Sequence, residues 1–372
     1  MQDYKQLLFT NERVLPYQTR DLNYPLSDKI IAEDVVGLPK ITDDYLIYSN
    51  TKKEVVILSY KSAETCTISL PSNKKKIDIS DLQLVVSDDR VLVYLQGKVY
   101  TISIHQKIII DETSIFCAGL DTAGYLYRNQ ITYNPGINKF GLFDLATKES
   151  IWTATLSNYC VKTCGNDKTV IIQDGLFLIH AYDKNNGREC WTFDLKSQLN
   201  EDMKYFMGIN SVMALQDNQL IFGCNDRLYC IDSQTGKSIW SKAFKGFSAA
   251  NMSVYENGII SSVSATAYYE IETKTGNISS YLDINQITRD LNVSLFTKPI
   301  LTANQVIVFS AMNSRLFIFY RRDFKLAYQS EVYNVKDNNR YQPAISSGLT
   351  PVLKNQSLFT LDMDGVFREY NS

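Results

Sequence analysis

The chain is expected to be all-β, a closed β-propeller of four-stranded blades, eight in number or seven if one weak copy is misread. Three observations lead there. A hairpin signature recurs every forty to fifty residues or so, the period of propeller blades rather than of helical solenoids. Apolar runs rich in Ile, Val, Tyr and Phe suit strands, and helix signals are nearly absent. The last copy stops after its third strand, which leaves a place for an N-terminal strand to close the ring. All 372 residues are read as one domain.

In chain order, "YKQLLFT" (4–10) is the expected closing strand, so deleting residues 1–10 should cost several kcal/mol by opening a sheet edge. The long stretch 11–34 reads as a loop. Irregular blades follow at 38–70 and 82–110. Then come the clearest hairpins, with Asp eight positions before Trp: Asp144 and Trp152, Asp183 and Trp191, Asp232 and Trp240. Two of them place Gly187 and Gly236 four after the Asp. A degraded copy carries Glu272, Gly276 and Ser280, and another puts Tyr320 and Tyr328 eight apart. The segment 298–320 is echoed by 350–370.

The physics of the hairpin assigns the roles. Asp opens the turn by accepting backbone N–H bonds, and Gly supplies the positive φ of a type I turn with a bulge. The large ring then packs against the adjacent unit. Trp152, Trp191 and Trp240 are therefore expected to be structural, each buried between neighbouring blades. The same logic disposes of "TGKS" at 235–238, which lacks the first glycine of a phosphate loop. Lys237 should sit at a solvated hairpin tip.

Composition narrows the function classes. With 38 Lys plus Arg against 40 Asp plus Glu, the net charge of −2 predicts no affinity for nucleic acid. Lys74–Lys76 and Arg321–Arg322 read as solvated charges, and Asp43-Asp44 and Asp88-Asp89 as turn residues. The start "MQDYKQLLF" lacks a signal peptide's apolar core and no run has transmembrane length. A cytoplasmic protein without membrane insertion is expected. Seven cysteines, none in C-x-x-C spacing, with only His105 and His180 as imidazoles, suggest buried reduced thiols rather than zinc or disulfides.

The hairpins at 177–191 and 226–240 resemble the repeat of the quinoprotein-like β-propellers. That family's enzymes, named for pyrroloquinoline quinone, carry adjacent cysteines, calcium-binding acids and a catalytic Asp. No two cysteines adjoin here, and no matching acidic set is found, so the quinone, calcium and zinc are not expected to be required. An outer-membrane assembly lipoprotein shares the repeat. The resemblance implies a scaffold, and no catalytic residue is assigned.

The long connections carry the functional expectation. Loops at 11–34, 129–140, 196–210, 283–296 and 333–343 are expected on one rim. They hold Tyr17, Arg20, Tyr24, Tyr133, Asp202, Tyr205, Phe206, Met207, Arg289, Arg340 and Tyr341, residue types enriched at protein interfaces. The expected function is a non-catalytic, cytosolic protein-binding propeller. An immunity protein neutralising a toxin domain is its special case. The alternative is a quinoprotein-like enzyme, or an assembly-type scaffold, that uses the central channel or rim.

Overall fold

In a computed structural model of the chain the apolar runs become eight hydrogen-bonded sheets. The structure describes residues 7–8, 14–71, 82–87, 89–115, 129–198, 208–293, 296–310, 314–331, 350–354, 356–362 and 364–371. The N-terminal segment contributes β1 (Leu7–Leu8) and β2 (Ser27–Ala32). Blade 1 follows as β3 (Val35–Ile41), β4 (Tyr45–Asn50), β5 (Glu54–Ser59) and β6 (Thr65–Ser69), with β1 added beside β3. Blade 2 is β7 (Leu82–Ser87), β8 (Arg90–Leu95), β9 (Lys98–Ser103) and β10 (Ile108–Ser114). Blade 3 shows β11 (Gln130–Tyr133), β12 (Lys139–Asp144) and β13 (Glu149–Thr155) among the described residues.

Blade 4 comprises β14 (Cys160–Gly165), β15 (Thr169–Asp174), β16 (Leu178–Asp183) and β17 (Glu189–Asp194). Blade 5 comprises β18 (Ala214–Gln216), β19 (Gln219–Cys224), β20 (Arg227–Asp232) and β21 (Ser238–Ala243). Blade 6 is β22 (Met252–Val254), β23 (Ile259–Val263), β24 (Ala267–Glu272) and β25 (Ile278–Asp283), followed by the short helix α1 (Asn285–Asp290). Blade 7 is β26 (Ile300–Leu301), β27 (Gln305–Ser310), β28 (Arg315–Tyr320) and β29 (Leu326–Gln329). Blade 8 has β30 (Val352–Lys354), β31 (Ser357–Leu361) and β32 (Phe367–Asn371) from the C-terminus and β2 from the N-terminus.

Burial explains the residue choice along each sheet. Middle strands are covered on both faces, so they read as unbroken apolar runs such as QVIVFS in β27, which is buried throughout. Fourth strands alternate, as in β17, where Trp191 and Phe193 are buried and their neighbours exposed. Blades 2 to 4 and most of blade 5 form one compact unit; blades 6 to 8 and blade 1 form a second.

The Asp-led turns form as the sequence implies. Asp144 Oδ1 accepts the N–H groups of Ala146 and Thr147 at 2.8 and 3.1 Å. Asp183 does the same for Asn185 and Asn186, and Asp232 for Gln234 and Thr235. Gly187 and Gly236 take φ +70° and +69°, and a register shift after the turn marks the bulge in blades 3 and 4. Lys237 is exposed at its hairpin tip.

The tryptophans lock consecutive blades. Trp152 is buried, and a Cβ added to Gly187 of blade 4 would lie 2.7 Å from its ring. Its Nε1 donates to the Lys184 carbonyl at 2.7 Å. Trp191 repeats this on blade 5, against Gly236, with Nε1 donating to the Ser233 carbonyl at 2.9 Å. Trp240 is buried as well. The glycines thus serve twice, in the turn and as the flat floor under a ring.

Other junctions solve the same problem differently. Blade 2 places Asp111 where blades 3 to 5 have tryptophan, as the turn shows: Lys107 N–H bonds the Ser103 carbonyl just as Gly187 N–H bonds that of Asp183. Blade 3 places Lys148 at the glycine position, and its Nζ meets Asp111 Oδ1 at 2.7 Å. In blade 6 Ser280, at the tryptophan position, pairs across from Glu270, and Arg321 from blade 7 ion-pairs with that carboxylate. Arg321 is therefore no solvated charge, contrary to the sequence expectation, whereas Arg322 is exposed. Phe324 fills the glycine position of blade 7 and stacks on Phe319 at 4.3 Å.

The hydrogen bond from Lys148 holds the Asp111 carboxyl below its ordinary range, with Thr113 assisting against partial burial. A depressed folded pKa gives stability that is present above the unfolded value and is lost as pH falls through the folded one. Asp111→Asn should therefore flatten part of the acid limb of melting temperature against pH. Identical parent and variant curves over the whole range, above about pH 4 as well as below it, would remove the pair from the stability account.

The closing strand is not the one expected. β2 pairs with β32, Ser27 opposite Asn371 through Ala32 opposite Phe367, and so completes blade 8. Leu7 and Leu8 instead pair with Ile41 and Lys40 of β3. The sequence SDKIIA lies inside the stretch read as loop, and its exposed, charged first half is that of an outer strand. Residues 15–26 ahead of it run as a strap over blades 6 and 7. Leu15 N–H bonds the Val254 carbonyl, and the Leu22 backbone exchanges two bonds with the Gln305 amide. Asp21 takes bonds from Thr302 and Asn304.

Candidate partner-binding face

Each blade has two ends. One carries the turns joining first to second and third to fourth strands, including the Asp-led hairpins. The other carries the second-to-third loops and the longer links to the next blade. The expected rim residues do not share one end. Tyr17, Arg20 and Tyr24 ride on the strap at the turn end, whereas Arg289 is exposed on α1 at the loop end. Asp202, Tyr205, Phe206, Met207, Arg340 and Tyr341 lie outside the described residues.

The strap aromatics are occupied by their own chain. Tyr17 receives a bond from Arg321 at 2.7 Å and donates to the Thr302 carbonyl. Tyr24 shares a hydroxyl bond with Tyr320 and stacks on Tyr328. Tyr133 is a further correction as a surface anchor. β11 is buried from Ile131 to Tyr133, and there Tyr133 donates to Ser150 at 2.6 Å and meets Phe143 edge-on.

The loop end of blades 3 and 4 exposes apolar side chains that sequence reasoning passed over. Ile137, in the loop between β11 and β12, is 93% exposed. Tyr159, in the link from blade 3 to blade 4, is 60% exposed, and Leu176, between β15 and β16, is 45% exposed. Backbone bonds tie the three together: Leu156 N–H to the Asn138 carbonyl at 2.7 Å, and Gly175 N–H to the Tyr159 carbonyl at 2.8 Å. The buried Asp174 carboxylate accepts the N–H groups of Ser157 and Asn158, each at 2.8 Å. Ile209 N–H closes on the Leu176 carbonyl, and Lys196 lies over the Phe177 ring. The only signal in the sequence was an isoleucine at a Pro-Gly loop tip, a position ordinarily polar.

The titratable groups behind this face are built into the blade. His180 is buried, with Nδ1 bonded to Glu189 and Thr192 and Nε2 at 3.4 Å from Asp174. Burial pushes the Cys160 thiol up to about 12, the direction opposite to an activated nucleophile. Burial also lowers the Lys162 ammonium to about 8, and that group donates to the Ser211 carbonyl. Of the six cysteines described, Cys160, Cys164, Cys224 and Cys230 are buried, Cys66 is half-buried and Cys190 exposed, and none of the six is in a disulfide. His105 is exposed in a turn.

The family described as outer membrane protein assembly factor BamB matches residues 176–368, more than half of the chain. The chain belongs to the BamB family. Its matched part includes the Trp191 and Trp240 hairpins and the degraded copies after them. No curated protein matches the chain. Among solved structures, BamB from Moraxella catarrhalis is 14% identical, with TM-score 0.61 over 95% of this chain and 100% of its own. The computationally designed protein Ika8 is 12% identical, with TM-score 0.64 over 92% and 97%. A quinohemoprotein alcohol dehydrogenase from Pseudomonas putida is 10% identical, with TM-score 0.63 over 96% and 78%.

At these identities the likeness is one of fold: an eight-bladed β-propeller with quinoprotein-like repeats. The fold serves an assembly factor in one neighbour and an enzyme in another. Among the described residues nothing fits the quinone and its calcium. No cysteines adjoin, and no cluster of three or more His, Cys, Asp or Glu that could hold a metal occurs among the described residues. No helix among them is long and apolar enough to cross a membrane.

Proposed function

We propose that the protein is a non-catalytic protein-binding propeller whose working surface is the loop end of blades 3 and 4. The observation that carries this is the exposure of Ile137, Tyr159 and Leu176 on one backbone-linked platform. Neighbouring apolar groups in water mark an interaction site more often than scattered ones do. An aromatic ring beside two aliphatic side chains suits a protein surface. A protein partner also agrees with the assembly role named for BamB. The narrower reading is a cytoplasmic immunity protein that occludes a toxin domain. Co-expression with candidate toxins encoded beside its gene tests that reading.

Ile137→Asp combined with Tyr159→Ala should weaken capture of the native partner from lysate at least about tenfold, or about 1.4 kcal/mol. Both side chains are exposed, so melting should barely change. Lys237→Glu, at the opposite end, should bind like the parent. Full capture by the double variant, with loss in Lys237→Glu, would place the surface at the turn end.

A further inference from the structure

The junction between blades 2 and 3 departs from its neighbours in a way that makes a site. At the next two junctions an indole fills the space between blades and lies on a glycine. Here Asp111 and Lys148 hold those two positions, and their ion pair spans the gap without filling it. A cavity of about 470 Å³ remains, lined by Asp89, Arg90, Asp111, Asn129 and Lys148 together with apolar Leu92 and Leu145. That volume is within the range of small-molecule sites, roughly 300–1,000 Å³.

The repeat indicates what the cavity can recognise. Trp152 donates its ring N–H to the carbonyl of Lys184, the residue after Asp183. Trp191 donates to the carbonyl of Ser233, the residue after Asp232. The residue after Asp144 is Leu145, which lines the cavity, so its carbonyl is the corresponding acceptor for a ring N–H. The Lys148 ammonium can face a ring, the geometry of a cation–π contact. Asp89 and Asp111 suit an ammonium, and Arg90 and Lys148 suit a carboxylate.

We propose that this cleft binds a small zwitterionic heteroaromatic molecule, of the class of an aromatic amino acid, whose ring takes the place that tryptophan takes at the neighbouring junctions. The site lies at the turn end and is independent of the protein-binding face. Its ligand replaces a missing piece of the repeat, so binding should also stiffen the junction.

Free L-tryptophan is the probe, titrated into the full chain by calorimetry, with indole and glycine as arms that lack the charges or the ring. Tryptophan should bind, and both fragments should bind at least about tenfold more weakly. The double variant Asp111→Trp, Lys148→Gly rebuilds the dock seen at the next junction. It should lose tryptophan binding and melt no lower than the parent. Arg90→Ala, a partly exposed change that leaves the core alone, should weaken binding about fivefold or more. The proposal is overturned by no binding at about 10 mM tryptophan, by indole binding as well as tryptophan, or by unchanged affinity in Arg90→Ala or in a folded double variant.

Discussion

A chain lacking residues 1–32 is expected not to fold cooperatively, while one lacking only residues 1–10 should keep a clear melting transition. The first deletion removes β2 and exposes the full edge of β32, five register pairs long. It also removes Leu22 and Leu26, both buried in the core that includes Leu316, Leu358 and Phe367. Each such leucine contributes about 1.5–3 kcal/mol by burial. The strap bonds to Thr302, Asn304 and Gln305 go with them. The total exceeds about 5 kcal/mol, the scale of a whole domain's stability. Thermal melts followed by circular dichroism check it, and a separate peptide covering residues 14–32 should restore part of the transition. Equal melting of the two truncations would refute the closure by β2.

Trp152→Ala and Trp191→Ala should each cost about 3–5 kcal/mol, because each opens a cavity between two blades and orphans a carbonyl that now receives an indole N–H. Gly187→Ala attacks the same dock from the other side. Its Cβ would lie 2.7 Å from the Trp152 ring at a backbone φ of +70°, so steric overlap adds to the cost of a left-handed alanine. Urea unfolding at fixed temperature measures all three. Losses below about 1 kcal/mol for both tryptophan variants would mean that the rings do not lock the blades.

The hairpins were legible because their chemistry is local. An Asp, a positive-φ residue and a ring at fixed spacing specify turn, bulge and packed strand within a dozen residues or so. Counting outer strands gives eight blades, or seven if one weak copy is misread, and eight sheets are present. The closing strand was not legible, since SDKIIA offers only a three-residue apolar run and acquires its partner some 340 residues away. The candidate face was partly legible. The sequence marks the loop at 129–140 as exposed, but it is the isoleucine and not the tyrosine that faces solvent. Tyr133 sits on a strand that tertiary packing buries on both faces, and Ile137 sits on the tip beyond it.

The amino-acid order therefore settled the period, the turns and the tryptophan docks, all of which depend on neighbours along the chain. Contacts across blades settled the rest. Arg321 is paired rather than solvated because the Glu270 carboxylate of another blade meets it. Tyr17 and Tyr24 became ties rather than anchors because the strap found hydrogen-bond partners on blade 7. Lys148 and Asp111 look like unrelated surface charges in the sequence, and they meet at 2.7 Å beside a cavity where the next two junctions bury a ring. Short-range rules act through backbone geometry, whereas these outcomes depend on side chains that folding alone brings together.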